Sequence, residues 1–325
     1  MNRSVATFWL VVITLVTTGG AVAGQGESPR EWLERMSSAM SQMTYQGTFV
    51  YVQGEEVATM RITHVSDQDG VRERLVSLSG PRREILRDSN GVRWVLGDDQ
   101  SVLEDSGFNR SFFPELPVDQ RDETGRSYTL KFGDNGRIAG FTARNIKIVP
   151  RDNYRYGYSL WLEEHSGLLL KWALINNDRK PLAKLVFTEI RIGSEVDPDE
   201  LRPSSELKKF KTVASGLPAG RTGAKSAPHW QPSRLPPGFE LTGHRMFGQQ
   251  GQGLYEHLIY SDGLAAVSVY VESEDSDSGQ IPGMSRLGTT HAYSRRAEDI
   301  LITVVGDVPP VTVEFIAKAV APASR

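Results

Sequence analysis

A chain of 325 residues, 39% hydrophobic and 24% charged, has the length and apolar content for one large or two ordinary domains with a real core. Its formal charge of −3 lacks the basic excess of a nucleic-acid binder, and no nucleic-acid partner is expected. The absence of cysteine excludes disulfides, thiolate metal sites, cysteine nucleophiles and lipidation at an N-terminal cysteine.

Residues 1–23 read as a secretory signal peptide. Arg3 precedes a mostly apolar run, VATFWLVVITLV, and Ala21-Val22-Ala23 fits the small-x-small cleavage rule. The run is too short for a membrane span, which needs about 20 residues.

The sequence SPRE, starting at Ser28, is a capping box with proline at the first helical position. Trp32, Met36, Ala39, Met40 and Met43 then fall on one face of the predicted helix. That face suits either core packing or a soft lid over an apolar cavity. Residues 45–192 alternate apolar and polar side chains in short runs separated by turn signals. Asn90-Gly91 and Asn135-Gly136 are the strongest two-residue hairpin signals among them. Roughly ten antiparallel strands and a helix predict a large, strongly curved sheet or a partly closed barrel over residues 24–193. Residues 194–229 are rich in Pro, Gly, Ser and charge and predict a long linker, with a short helix near 205–210. Residues 230–325 predict a smaller α+β domain. Its expected strands are 239–247, 254–260, 264–271, 289–295 and 299–305, followed by a helix after Pro309-Pro310.

Enzymatic motifs are missing. None of the six histidines stands three or four residues from another, so no helical zinc pair forms. His64 reads as a surface or satisfied sheet histidine. There is no Gly-x-Ser-x-Gly elbow, no phosphate-cradling loop, and no dinucleotide fingerprint before a helix. The acidic stretch Glu272, Glu274, Asp275, Asp277 lacks the third alternating ligand and the closing glutamate of a calcium loop. It reads as a solvated loop or a partner-facing one. No catalytic residue, metal site or cofactor is expected. Aromatic side chains remain: Tyr154, Tyr156, Tyr158 and Trp161 in one segment, Trp172 beyond it, and Phe108, Phe112 and Phe113 in a segment of poor strand character. Read as a continuous strand, the first segment puts its three tyrosines on one face, away from Trp161. They pack in a core or line a cavity for an apolar ligand.

Five segments together carry a family resemblance: residues 43–51 (MTYQGTFVY), 152–161 (DNYRYGYSLW), 235–239 (LPPGF), 261–271 (SDGLAAVSVYV) and 304–309 (VVGDVP). The chain resembles the RseB/MucB family of periplasmic regulators of the envelope-stress sigma factor sigma-E. The resemblance implies a mainly β fold, an unclosed antiparallel barrel similar to LolA and LolB with covering helices, joined to a small α+β domain. It implies a periplasmic protein with no enzymatic activity. Its partner would be the periplasmic region of a membrane-spanning anti-sigma factor of the RseA or MucA type, shielded from site-1 proteolysis. A lipid or lipopolysaccharide signal would release it, and a homo-oligomer is a further candidate assembly. For the ligand, the expected residues are Tyr154, Tyr156 and Trp161, with Trp94 and Phe113. For the partner they are Tyr270, Glu272, Gly283, Met284 and Arg286. The alternative is a periplasmic carrier of lipid or lipoprotein.

Overall fold

A computed structural model of the chain describes residues 27–89, 91–96, 101–105, 113, 126–204, 211–214, 227–247, 255–273, 282–297 and 299–323. The signal peptide, the helix expected near 205–210 and most of the acidic stretch lie outside these residues.

Helix α1 (Pro29–Gln42) starts at the expected capping box: Ser28 Oγ accepts from Glu31 N, and Ser28 N donates to the Glu31 carboxylate at 2.5 Å. That backbone N–H holds the Glu31 carboxyl below its ordinary pKa. The helix buries Trp32, Leu33, Met36 and Ala39.

Six strands follow as successive antiparallel hairpins: β1 (Tyr45–Gln53), β2 (Glu56–Asp67), β3 (Gly70–Ser77), β4 (Arg83–Asp88), β5 (Gly91–Leu96) and β6 (Ser101–Asp105). The second half contains β7 (Tyr128–Phe132), β8 (Gly136–Ile138), β9 (Phe141–Pro150), β10 (Gly157–Glu163), β11 (Leu169–Ile175) and β12 (Pro181–Ile192). The halves join through β1 and β12, which pair antiparallel from Tyr45↔Ile192 to Gln53↔Ala183. The sheet ends at β7 on one side and at β13 (Lys211–Ala214) on the other, so it is unclosed. Phe49, Ile62, Leu75, Ile146, Leu160 and Phe187 form its core with α1.

Two turn expectations change. Asp88 pairs with Gly91, so Gly91 opens β5 and is not a loop residue; Asn90 lies outside the described residues. Asn135-Gly136 makes no hairpin, because β7 and β8 each pair with β9. The tight turn comes at Ala139-Gly140, with φ of 47° and 89° between the paired Ile138 and Phe141. Positive φ at both central positions is what matches the twist of the flanking strands.

The expected linker is not featureless. Its first residues form a 3-10 turn (Pro198–Leu201), whose Glu200 carbonyl accepts from Arg74 Nη1 at 3.2 Å. Ser204 Oγ then donates to Glu84 at 2.5 Å. Strand β13 runs parallel to β6 and covers an edge that would otherwise offer unpaired backbone groups.

The small domain contains β14 (Trp230–Pro232), β15 (Glu240–Phe247), β16 (Tyr255–Ser261), β17 (Ala266–Ser273), β18 (Gly283–Leu287), β19 (Thr290–Ala297), β20 (Ile300–Gly306), helix α2 (Pro310–Ala319) and β21 (Val320–Pro322). Six of these strands form an antiparallel sheet in the order β15-β16-β17-β20-β19-β18, and β14 pairs with β21. One face of the sheet, with Leu258, Val267, Val269, Ile302 and Val304, packs with Val313, Ile316 and Ala317 of α2. Arg295 donates to the carbonyls of Ala317 and Val320, both at 2.7 Å, satisfying groups that a helix end leaves unpaired.

Candidate functional site

The two domains meet at a fully buried arginine. Residues 151–156, between β9 and β10, hold Arg155 at 0% side-chain exposure. Its Nη1 donates to Asp262 Oδ2 at 2.5 Å and its Nη2 to the Pro237 carbonyl at 2.5 Å, both in the small domain. Its Nε donates to Asp152 at 3.1 Å. The guanidinium carbon lies 5.4 Å from the Tyr128 ring centre and 5.1 Å from that of Phe239. Tyr128 OH adds a hydrogen bond to Asp262 Oδ2 at 2.9 Å, and burial is the main cause of its hydroxyl's strongly raised pKa. Gly238 has φ 81°, and a Cβ there would come within 2.7 Å of Ser127 Oγ, so the close approach of the chains requires glycine. Flanking contacts complete the junction: Thr312 Oγ1 to the Tyr154 carbonyl at 2.7 Å, the Tyr154 and Phe315 rings at 5.2 Å, and Gln53 Nε2 to Thr289 Oγ1 at 2.8 Å.

Beside this junction lies a cavity of about 1160 Å³. Helix α1 contributes Met36 and Met40, so the helix both packs in the core and lines the cavity. The sheet contributes Tyr51, Tyr158, Trp172 and Leu174, and the small domain contributes Ile259 and Leu264. On the β2–β4 side the lining turns polar with His64, Glu73, Arg87 and Asp88. An apolar wall with a polar side suits an amphiphile. Burial raises the Tyr158 hydroxyl's pKa strongly, so the phenol stays neutral in this wall.

His64 is buried, not a surface residue. Its ring stacks on Tyr45 at 4.7 Å, and its Nδ1 lies 2.9 Å from the Met43 carbonyl, to which it donates. Burial is the largest cause of its lowered pKa, and the same holds for His291, bonded to the Val308 carbonyl at 2.9 Å. Folded-state pKa values below the unfolded value favour the neutral rings, so this stability is present above pH 6.5 and is lost as pH falls below it. Stability should therefore fall between pH 7.5 and pH 5.5 as the two rings protonate on unfolding. Urea midpoints at the two pH values check this, with His64→Gln flattening the dependence; equal midpoints would overturn it.

Among the described residues, no helix packs on the second face of the small-domain sheet. Its residues include Tyr255, His257 and Ile259 on β16 and Ser268, Tyr270 and Glu272 on β17, by register and alternation. His257 and Tyr270 stack at 4.4 Å with planes 5° apart. Ile259 reaches the cavity, so this face is continuous with the cavity wall.

Among the expected ligand residues, Phe113 lines the cavity. Tyr154 lies at the domain junction against Phe315. Tyr156 packs in a separate cluster with Leu174 and Ala183. Trp161 lies under Lys171 Nζ, 4.0 Å from its ring centre. The Trp94 side chain lies outside the described residues. Among the expected partner residues, Tyr270 and Glu272 share the helix-free face, and Gly283 joins their row through Ser294 and Thr303. Met284 aligns through Tyr293 and Val304 with the buried Val269, so Met284 and Arg286 belong to the opposite face.

The geometry thus consists of a two-domain unit, a shared cavity and a second sheet face on which no described helix packs. A family model described as the MucB/RseB N-terminal domain matches residues 28–205, and one described as the MucB/RseB C-terminal domain matches residues 224–321. This chain belongs to the MucB/RseB family. The sigma factor AlgU regulatory protein MucB of Pseudomonas aeruginosa is 33% identical over 310 residues, which cover 92% of this chain and 93% of that protein. The sigma-E factor regulatory protein RseB of Escherichia coli is 24% identical over 288 residues, 88% of each chain. A crystal structure of MucB in complex with MucA(peri) aligns with a TM-score of 0.71 at 30% identity, over 92% of this chain and 100% of that one. The Pseudomonas aeruginosa MucA/MucB complex aligns with a TM-score of 0.73 at 30% identity, over 91% and 99%. Within this MucB/RseB chain, two of the segments that carry the family resemblance supply Arg155 and Asp262, the two sides of the buried junction.

Proposed function

We propose that this protein is a periplasmic, non-enzymatic regulator of a sigma factor. It binds the periplasmic region of an anti-sigma factor of the RseA or MucA type and shields it from the protease that makes the first cut. An amphiphile, a lipid or lipopolysaccharide, enters the cavity and weakens that complex. The observation that carries the reading is the continuity of the cavity wall with the helix-free sheet face: His257 and Ile259 stand two positions apart on one side of β16. A partner on that face and a ligand in the cavity would touch the same sheet. If the ligand favours one disposition of this sheet and the partner another, each weakens the other by the same factor. Tyr270, Glu272 and Gly283 are the proposed partner contacts, and Phe113, Tyr158 and Trp172 the proposed ligand contacts.

The test is protection of a purified anti-sigma periplasmic domain from site-1 protease. The mature protein should slow cleavage, and added lipopolysaccharide should restore it. Tyr270→Ala should weaken the complex by about ten-fold or more, the scale of an aromatic anchor. Unchanged cleavage at saturating protein would sink the reading. The carrier alternative would be favoured by lipoprotein transfer between membranes and an acceptor. The small domain's share of the cavity wall favours the regulator, because it gives a ligand a direct route to a second domain.

A further inference from the structure

We propose that the turn at residues 261–266 is a plug in the cavity wall, tethered by the Arg155–Asp262 ion pair, and that this tether sets how fast an apolar chain enters and leaves. The proposal rests on the cavity being a lipid site.

The Asp262 carboxylate has two tasks. Its Oδ1 accepts from Leu264 N at 2.9 Å and Ala265 N at 2.7 Å, which shapes the turn. Its Oδ2 accepts from Arg155 Nη1 at 2.5 Å and Tyr128 OH at 2.9 Å, which fastens the turn to the large domain. The turn is closed on itself as well: Ser261 Oγ donates to the Ala265 carbonyl at 2.9 Å and accepts from Gly263 N at 3.0 Å. Such a loop moves as a unit. Its residues Ser261, Gly263, Leu264, Ala265 and Ala266 all line the cavity. Leu264 is its one large side chain, and it packs against the core of the other domain. Arg155 and Tyr128 are not among the lining residues, so the tether can be altered without touching a ligand. Opening would break the carboxylate's bonds to Arg155 Nη1 and Tyr128 OH together. Opening requires Leu264 to leave the barrel core and the carboxylate to leave its guanidinium. That places the barrier to ligand exchange at the tether and not in the cavity.

The experiment uses the full mature chain and a fluorescent long-chain fatty acid as the probe, followed by stopped flow and by equilibrium titration. Asp262→Asn retains an oxygen for the turn's backbone N–H groups and removes the charge facing Arg155. It should raise both the association and the dissociation rates by about ten-fold or more, while the Kd moves much less. Leu264→Ala trims the plug and leaves the tether intact; it should raise the association rate similarly. Tyr128→Phe removes one hydrogen bond from the tether, should give a smaller rise in both rates, and serves if Asp262→Asn does not fold. Wild-type binding with all variant rates within about two-fold of it would overturn the plug and leave the cavity reading standing. Uptake by Leu264→Ala alone would support a plug tight enough to exclude the probe. Absence of uptake by every variant and by wild type would overturn both.

Discussion

Arg155→Ala is expected to destabilise the protein by roughly 3–5 kcal/mol, the range for removing one partner of a buried ion pair. The Arg155 and Asp262 side chains are 0% and 1% exposed, so water cannot take over the lost interactions without opening the domain junction. Asp262 would keep the Tyr128 hydroxyl and two backbone N–H groups, but no counter-charge on that oxygen. The Pro237 carbonyl would lose its donor, and a void would open between the Tyr128 and Phe239 rings. Arg155→Lys keeps the charge but cannot fork to three acceptors, and should recover less than half of the loss. Urea unfolding of the three proteins gives the comparison. A loss below about 1 kcal/mol would mean that the junction opens cheaply and Asp262 rehydrates.

Much of the fold was legible because local chemistry repeats. The capping box and the spacing of Trp32, Met36 and Ala39 place α1, and alternation places most strands. Strand β18 was not legible: GMSRL has no apolar alternation, and all five residues are exposed. Strands β14 and β21 are three residues each, too short for a period to show.

The tyrosine segment is arranged differently from a continuous strand for a definite reason. Treating Tyr154, Tyr156 and Tyr158 as one face assumes a strand through all three. Asp152 Oδ1 instead accepts from Tyr154 N at 2.9 Å and from Arg155 Nε, holding 151–156 in a loop. The strand begins at Gly157, where a Cβ would lie 2.7 Å from the Ile148 carbonyl oxygen. Only Tyr158 therefore enters the cavity wall, and Tyr154 is left for the domain junction. The small domain's share of the cavity was hidden because Ile259 and Leu264 reach it from about a hundred residues along the chain. The signal for the junction was present in the sequence as an arginine among tyrosines in DNYRYGY. Its acid partner, in SDGL, was visible only as a turn residue.

Phe49→Ala and Phe113→Ala delete the same side chain a few ångströms apart, yet they should differ in effect. The two rings are 6.0 Å apart at 64°, and each also contacts Phe187, at 5.5 Å and 6.1 Å. Both substitutions lose comparable aromatic pairing, about 0.5–1.5 kcal/mol per pair. Phe49 is 0% exposed and is not part of the cavity wall, so its removal creates a new closed void and should cost roughly 3–5 kcal/mol. Phe113 already faces the cavity. Its removal enlarges a space that exists and adds little new void, so the loss should approach the transfer term alone, about 1.5–3 kcal/mol. Urea unfolding without ligand should order the variants in that way. An apolar ligand should then stabilise Phe113→Ala, by about 2.7 kcal/mol at a hundred times its Kd. The enlarged wall should also admit a bulkier chain than the wild type does. Equal losses for the two variants would place Phe113 in the closed core and remove it from the ligand site.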